Sequence, residues 1–121
     1  MFMNYNAGQG ELKNWIVEET AFDSAFQGKC EVVMSQGNGY MGARSATEEK
    51  YVGQVRNLFV AGTYNKFDAD EVTELPNAAD MSAIEIFIDG GRFHLATGEV
   101  SNYSRRLNGQ NGALLRAFTW T

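Results

Sequence analysis

Glycine recurs thirteen times in 121 residues and proline once, and the apolar runs between the glycines are short and alternating. Glycine tolerates the backbone angles that end a strand in a turn. The pattern therefore predicts strands joined by turns rather than long helices. The clearest element is 84–95. Ile84, Ile86 and Ile88 share one face, Glu85 and Phe87 the other, and Phe93 and Leu95 resume the alternation after Asp89-Gly90-Gly91. This predicts a hairpin. Trp15 and Val17 alternate with Asn14 and Glu18. Cys30, Val32 and Met34 alternate with Glu31, Val33 and Ser35, which predicts a second strand. Further strands are expected at 55–64, 99–103 and 113–121, the last with Leu114, Phe118 and Trp120 on one face. Residues 67–77 are polar, hold the proline and read as a loop. The best helical candidate is 46–52, where Thr47 stands as a cap before Glu48 and Glu49. The expected class is mainly β, with two packed antiparallel sheets.

The length suits one domain. Residues 1–14, with Gly8 and Gly10, read as a flexible N-terminal segment, and 15–121 as the sandwich portion. Ten basic against fifteen acidic residues give a net charge of -5, which supplies no diffuse attraction to nucleic acid or anionic lipid. The only adjacent arginines are Arg105 and Arg106. A lone cysteine, Cys30, excludes an internal disulfide and a multi-cysteine metal site. No apolar run approaches the roughly 20 residues of a membrane span. The start, Met1-Phe2-Met3-Asn4, lacks a basic stretch followed by an apolar one. A cytoplasmic setting is expected. The last strand pattern runs to Thr121 without a turn, and an edge carrying Phe118 and Trp120 calls for a partner. That fits either a natural last strand or a piece of a longer protein.

Several constellations could carry chemistry. Gly37-Asn38-Gly39-Tyr40-Met41-Gly42 fits G-x-G-x-x-G, which as a dinucleotide loop requires an amphipathic helix after it. Residues 43–53 show no helical stripe, so a tight turn between β elements is the simpler reading. Glu18-Glu19, Glu48-Glu49, Asp68, Asp70, Glu71 and Glu74 include pairs of the kind that glycoside cleavage uses, but a solvated face is the better reading of them. A calcium loop starting at Asp68 fails, because Thr73 stands where glycine is needed and Ala79 where the closing glutamate is needed. The single histidine, His94, reads as a strand residue rather than a catalyst, and Cys30 as a small buried hydrophobe. Trp15, Tyr40, Tyr64, Tyr103 and Trp120 could stack on sugar rings, although strand aromatics more often fill cores.

Together these segments resemble the N-terminal domain of glycoside hydrolase family 65, the maltose, trehalose and kojibiose phosphorylases. The resemblance starts at Trp15-Ile16-Val17 and Phe22-Asp23. It is most specific from Glu31 through Ser35-Gln36-Gly37-Asn38-Gly39-Tyr40-Met41-Gly42-Ala43-Arg44, with Glu49 after it. Phe59-Val60-Ala61-Gly62-Thr63-Tyr64, Glu74-Leu75-Pro76-Asn77, Ile86-Phe87-Ile88-Asp89-Gly90, Tyr103-Ser104-Arg105-Arg106-Leu107-Asn108 and Gly112-Ala113-Leu114-Leu115-Arg116 follow in the family's order. Ser45, Ala78 and Leu107-Asn108-Gly109 depart from the family pattern and leave the sugar linkage open.

The resemblance implies a supersandwich-like β domain of which this chain is an N-terminal portion. It implies that the chemistry belongs to an (α/α)6 barrel elsewhere in the polypeptide, where a glutamate acts as general acid on an α-glucosyl disaccharide. Inorganic phosphate then attacks as co-substrate with inversion, and no metal or organic cofactor takes part. No catalytic residue is expected in this chain. Glu31, Asn38, Gly39, Tyr40, Gly42, Arg44, Glu49, Gly62 and Tyr64 become structural motif residues, with Arg44 expected to pair with Glu48 or Glu49. Pro76 and Asn77 mark a loop expected on the substrate side. The expected partners are the barrel, the disaccharide and a second copy of the chain. The competing readings are a stand-alone carbohydrate-binding β-sandwich, with Tyr64, Tyr103 or Trp120 as platforms, and a nucleotide-binding enzyme.

Overall fold

The computed structural model describes residues 3–121. Met1 and Phe2, which open the segment 1–14, lie outside the described residues. The largest sheet is antiparallel, with β1 (Met3–Asn4), β2 (Ile16–Glu19), β8 (Val100–Asn108) and β9 (Ala113–Trp120) in the order β1-β2-β8-β9. A second sheet joins β3 (Gln36–Gly37), β4 (Met41–Ala43) and β5 (Leu58–Val60), and β6 (Phe87–Ile88) pairs with β7 (Gly91–Arg92). The fold is thus mainly antiparallel β, the sandwich class expected.

β8 and β9 form the long hairpin of the molecule. Burial alternates strictly along β9, with Leu114, Arg116, Phe118 and Trp120 on the inner side. The register slips between Ser101 and Ser104, where Asn102 adopts φ 52. Such a bulge sharpens the local twist, and here it carries Tyr103, Arg105 and Leu107 onto the face that meets α1 and the loops. The Asp89-Gly90 turn has positive φ at both residues, 49 and 79, as a tight two-residue hairpin requires.

Two apolar clusters sit against this face. Met3, Cys30 and Met34 are buried together, with Val17, Val33, Leu107 and Leu114 packed around them. Phe93, Leu95 and Tyr103 form the other, with Phe22, Val100, Phe118 and Trp120. Its rings pack specifically: Phe93 stacks on Phe118 at 5.9 Å and meets the edge of Trp120 at 5.1 Å. Offset and edge contacts of this kind match the ring quadrupoles.

Three sequence expectations are corrected. The strand predicted around Cys30, Val32 and Met34 is instead α1 (Gln27–Val33). Its buried residues are Gln27, Cys30 and Glu31, followed by Met34. That is the i, i+3, i+4, i+7 stripe of a helix, and two polar members hide it from an apolar count. The helix expected at 46–52 is absent. Ser45, Thr47 and Glu49 are buried while Ala46, Glu48 and Lys50 are less so. Burial here alternates with a period of two, and Thr47 Oγ1 donates to Glu49 O at 2.9 Å instead of capping a helix. The strand expected over 55–64 shortens to β5.

Candidate functional site

The inner face of the large sheet carries charge as well as hydrocarbon. Glu19, at the end of β2, is fully buried. Its Oε2 accepts from Tyr103 OH at 3.0 Å and its Oε1 from Gln27 Nε2 at 3.2 Å, with Arg105 Nη1 3.9 Å away. Arg105 is itself buried, and its Nη2 donates to Ser45 O. Burial pushes the Glu19 carboxyl upward, against the pull of Tyr103 and Arg105. Burial and the neighbouring Glu19 push the Cys30 thiol up to about 12. That thiol is an inert core group, not a nucleophile.

A second cluster ties α1 to the strand hairpin. Glu31 is fully buried; its Oε2 meets Arg44 Nε at 3.1 Å, and its Oε1 accepts from Tyr51 OH. Arg44 Nη2 also donates to Gly28 O at 2.7 Å. Burial and the Glu31 carboxylate push the Tyr51 phenol upward. The pairing expected between Arg44 and Glu48 or Glu49 does not form. Both glutamates turn to β9, where Arg116 grips Glu49 through two bonds of 2.8 and 2.6 Å and reaches Glu48 at 2.6 Å. Arg116 lies over the Phe118 ring at 5.1 Å. Burial opposes its charge, but the bonds it donates to Glu49 and the charges of Glu49 and Glu48 outweigh that and hold the guanidinium protonated.

A third pair closes the outer loops. Arg56 Nη1 bonds Asp80 Oδ2, and Arg56 Nη2 donates to Glu48 O at 3.0 Å. Burial works against the Asp80 charge, but hydrogen bonds from Ser82 and Arg56 win and hold its carboxyl near a pKa of about 2. The folded value lies below the unfolded one. This pair therefore stabilises the fold above the ordinary value of 3.8, and the contribution fades as pH falls toward 2. Asp80→Asn is expected to lower the urea midpoint at pH 7, and the difference from the parent chain should vanish near pH 2.

The motif residues fall in separate places. Glu31 and Arg44 come together. Asn38, Gly39 and Tyr40 make the turn between β3 and β4, where Asn38 Oδ1 accepts from the amides of Tyr40 and Met41 at 3.0 and 2.7 Å. Gly39 has φ 84, which only glycine adopts without strain. This is a hairpin turn, and no helix follows it, so the dinucleotide reading falls. Gly42 faces open space rather than a close neighbour. Gly62 follows β5, and Tyr64 is exposed beyond it. Asn77, after Pro76, spends its amide on the backbone of Arg56 and Leu58. Tyr103 is buried, which removes it as a sugar platform, while Tyr40 and Tyr64 are 61% and 63% exposed. The sequence reading missed Tyr51, Gln27 and the Arg56–Asp80 pair. Its overlooked signal for Arg105 was the residue's place between Tyr103 and Leu107 on an inward face.

Chemically, Glu19, Glu31 and Glu49 are all engaged by arginine, tyrosine or glutamine. Among the described residues no group of three or more His, Cys, Asp or Glu could hold a metal ion, and no helix is long and apolar enough to cross a membrane. A groove of about 1030 Å³ runs between β7 and the 50–52 segment, lined by Lys50, Tyr51, Val52, Arg92, His94 and Thr97.

The model of the glycosyl hydrolase family 65 N-terminal domain matches residues 17–121. The chain belongs to this family. A kojibiose phosphorylase of Halothermothrix orenii is 47% identical over 120 residues, which cover 99% of the chain and 15% of the relative. A kojibiose phosphorylase of Escherichia coli is 35% identical over 104 residues, 86% of the chain and 13% of the relative. An α,α-trehalose phosphorylase of Thermoanaerobacter brockii is 29% identical, over 90% of the chain and 16% of the relative. A solved structure from the human microbiome, provisionally assigned as a kojibiose phosphorylase, superposes with a TM-score of 0.80 at 20% identity, covering 98% of this chain and 16% of that one. The family 65 chain thus spans about 15% of the length of the H. orenii enzyme.

Proposed function

We propose that this family 65 chain is a non-catalytic β-sandwich scaffold within an inverting phosphorylase of α-glucosyl disaccharides. The observation that carries the reading is the fate of the inward carboxylates. Glu19, Glu31 and Glu49 each hold two or more elements together, and so are committed to structure. The general acid then belongs to a barrel domain of the same polypeptide. Inorganic phosphate is the co-substrate, β-glucose 1-phosphate the product, and no organic cofactor takes part. The relatives' names make kojibiose the first disaccharide to test and trehalose the second. A cytoplasmic setting suits the free, buried thiol of Cys30. The scaffold would brace the barrel and contribute to pairing of two copies.

The test uses a chimaera in which this chain replaces the matching 120 residues of the H. orenii kojibiose phosphorylase. The chimaera is expected to release glucose 1-phosphate from kojibiose and phosphate. The chain alone should release none, and turnover by the chain alone sinks the proposal. A second reading, a carbohydrate-binding module, is favoured by the exposed rings of Trp15, Tyr40 and Tyr64. Saturable binding of kojibiose or maltose by the isolated chain, lost on Tyr64→Ala, would support it instead.

A further inference from the structure

The segment after β5 is a built arm. Asn77 pins its base: Nδ2 donates to Arg56 O at 2.8 Å and Oδ1 accepts from Leu58 N at 2.7 Å. Asn65 and Glu74 then exchange two backbone hydrogen bonds of 2.9 and 2.8 Å, which narrows the arm to a ribbon. Its tip folds around Asp68, whose Oδ1 accepts from the amides of Asp70 and Glu71 at 2.9 and 3.1 Å. Lys66 Nζ donates to Ala69 O at 2.9 Å, which draws that ammonium onto the arm's own backbone. This ordered frame projects hydrocarbon into water. Phe67 is 90% exposed, Val72 82% and Tyr64 63%.

Ordering a loop costs conformational entropy, and presenting its apolar side chains to water recovers none of it. Such a frame is explained if the tip enters something. Two observations choose what. The arm carries four carboxylates, Asp68, Asp70, Glu71 and Glu74, against one ammonium, so the complementary surface is basic. The H. orenii relative has most of its length outside the matched segment, which is 15% of it. That leaves ample chain of the same polypeptide to form a receptor.

We propose that the arm, residues 63–77, docks into the part of its own polypeptide that lies outside the matched segment. There Phe67 and Val72 fill an apolar recess rimmed by lysine or arginine. The proposal rests on the scaffold reading, and it assigns the arm a binding role distinct from bracing by the sheets. Docking fixes the base of the arm, and with it β5, against that part of the polypeptide.

Hydrogen exchange compares the isolated chain with the H. orenii chimaera. The amides of Phe67 and Val72 make no hydrogen bond within the arm and should exchange at least about tenfold more slowly in the chimaera. Phe67→Asp with Val72→Asp should abolish that protection, and high salt should weaken it. Equal exchange in the two proteins overturns the proposal. So does protection that disappears on dilution to a monomer, since the occupant is then a second copy. Activity separates the two readings: an active chimaera with an unprotected arm sinks the docking alone, and a protected but inactive one sinks the scaffold reading alone. If the chimaera is insoluble, grafting only residues 63–77 into the relative gives the same readout, with the same two outcomes.

Discussion

Arg105→Ala is expected to lower the unfolding free energy by about 3–5 kcal/mol, the cost of breaking a buried pair and leaving one charge behind. A domain of this size has roughly 5–15 kcal/mol to lose, so much of the population should unfold at moderate urea. The reason is specific. Arg105 is the nearby cation for the fully buried Glu19, and its other nitrogen holds Ser45 O. Without it, Glu19 keeps the neutral donors Tyr103 and Gln27, and the weakly donating thiol of Cys30. Burial already raises the Glu19 pKa, so its uptake of a proton favours the folded state. That contribution is complete below the unfolded value of 4.5 and lost as pH rises through the folded one. The deficit of Arg105→Ala should therefore shrink as pH is lowered toward 4.5. The double variant Glu19→Gln, Arg105→Met should recover most of the loss, because removing both charges leaves no unpaired ion in the core. Urea titrations of the parent chain and these two variants at pH 5 and pH 7 check this. An unchanged midpoint for Arg105→Ala would show that the pair is not needed.

Met34→Ala is expected to cost about 2–5 kcal/mol, from lost transfer energy and the cavity it leaves. Met34 is fully buried, directly after α1, against Met3 and Cys30 and beneath Leu107 and Leu114. It joins the helix to the central strands, so the void cannot be closed by a surface loop. Met34→Leu, which nearly conserves volume, should cost less than about 1.5 kcal/mol. Val32→Ala is the control. Val32 is 54% exposed on the outer side of α1, and its replacement should hardly move the thermal midpoint. A strand in place of α1 would put Val32 and Met34 on one face and make the two variants alike. The comparison therefore tests the helix itself.

Much of the framework was legible from local pattern. The hairpin at Asp89-Gly90, the turn at Asn38-Gly39 and the alternation along β9 depend on residues a few positions apart. Backbone sterics and a period of two settle such features without knowledge of the rest of the chain. The family resemblance was legible for the same reason, as an ordered series of short motifs. The buried charges were not. Gln27 and Glu31 count as polar in any reading of periodicity, and they become inward residues only because Glu19 arrives to accept from Gln27 and Arg44 and Tyr51 arrive to bond Glu31. Arg105 and Glu19 are 86 positions apart in the chain, and Arg116 and Glu49 are 67 apart. Sequence proximity favours Glu48 and Glu49 as partners of Arg44, yet it bonds Glu31. Local chemistry prescribed turns, strand faces and membership of the family. The choice of partner for each buried charge, and with it the helix at 27–33, depended on long-range packing, because desolvated ions are tolerable only where several distant segments converge to neutralise them.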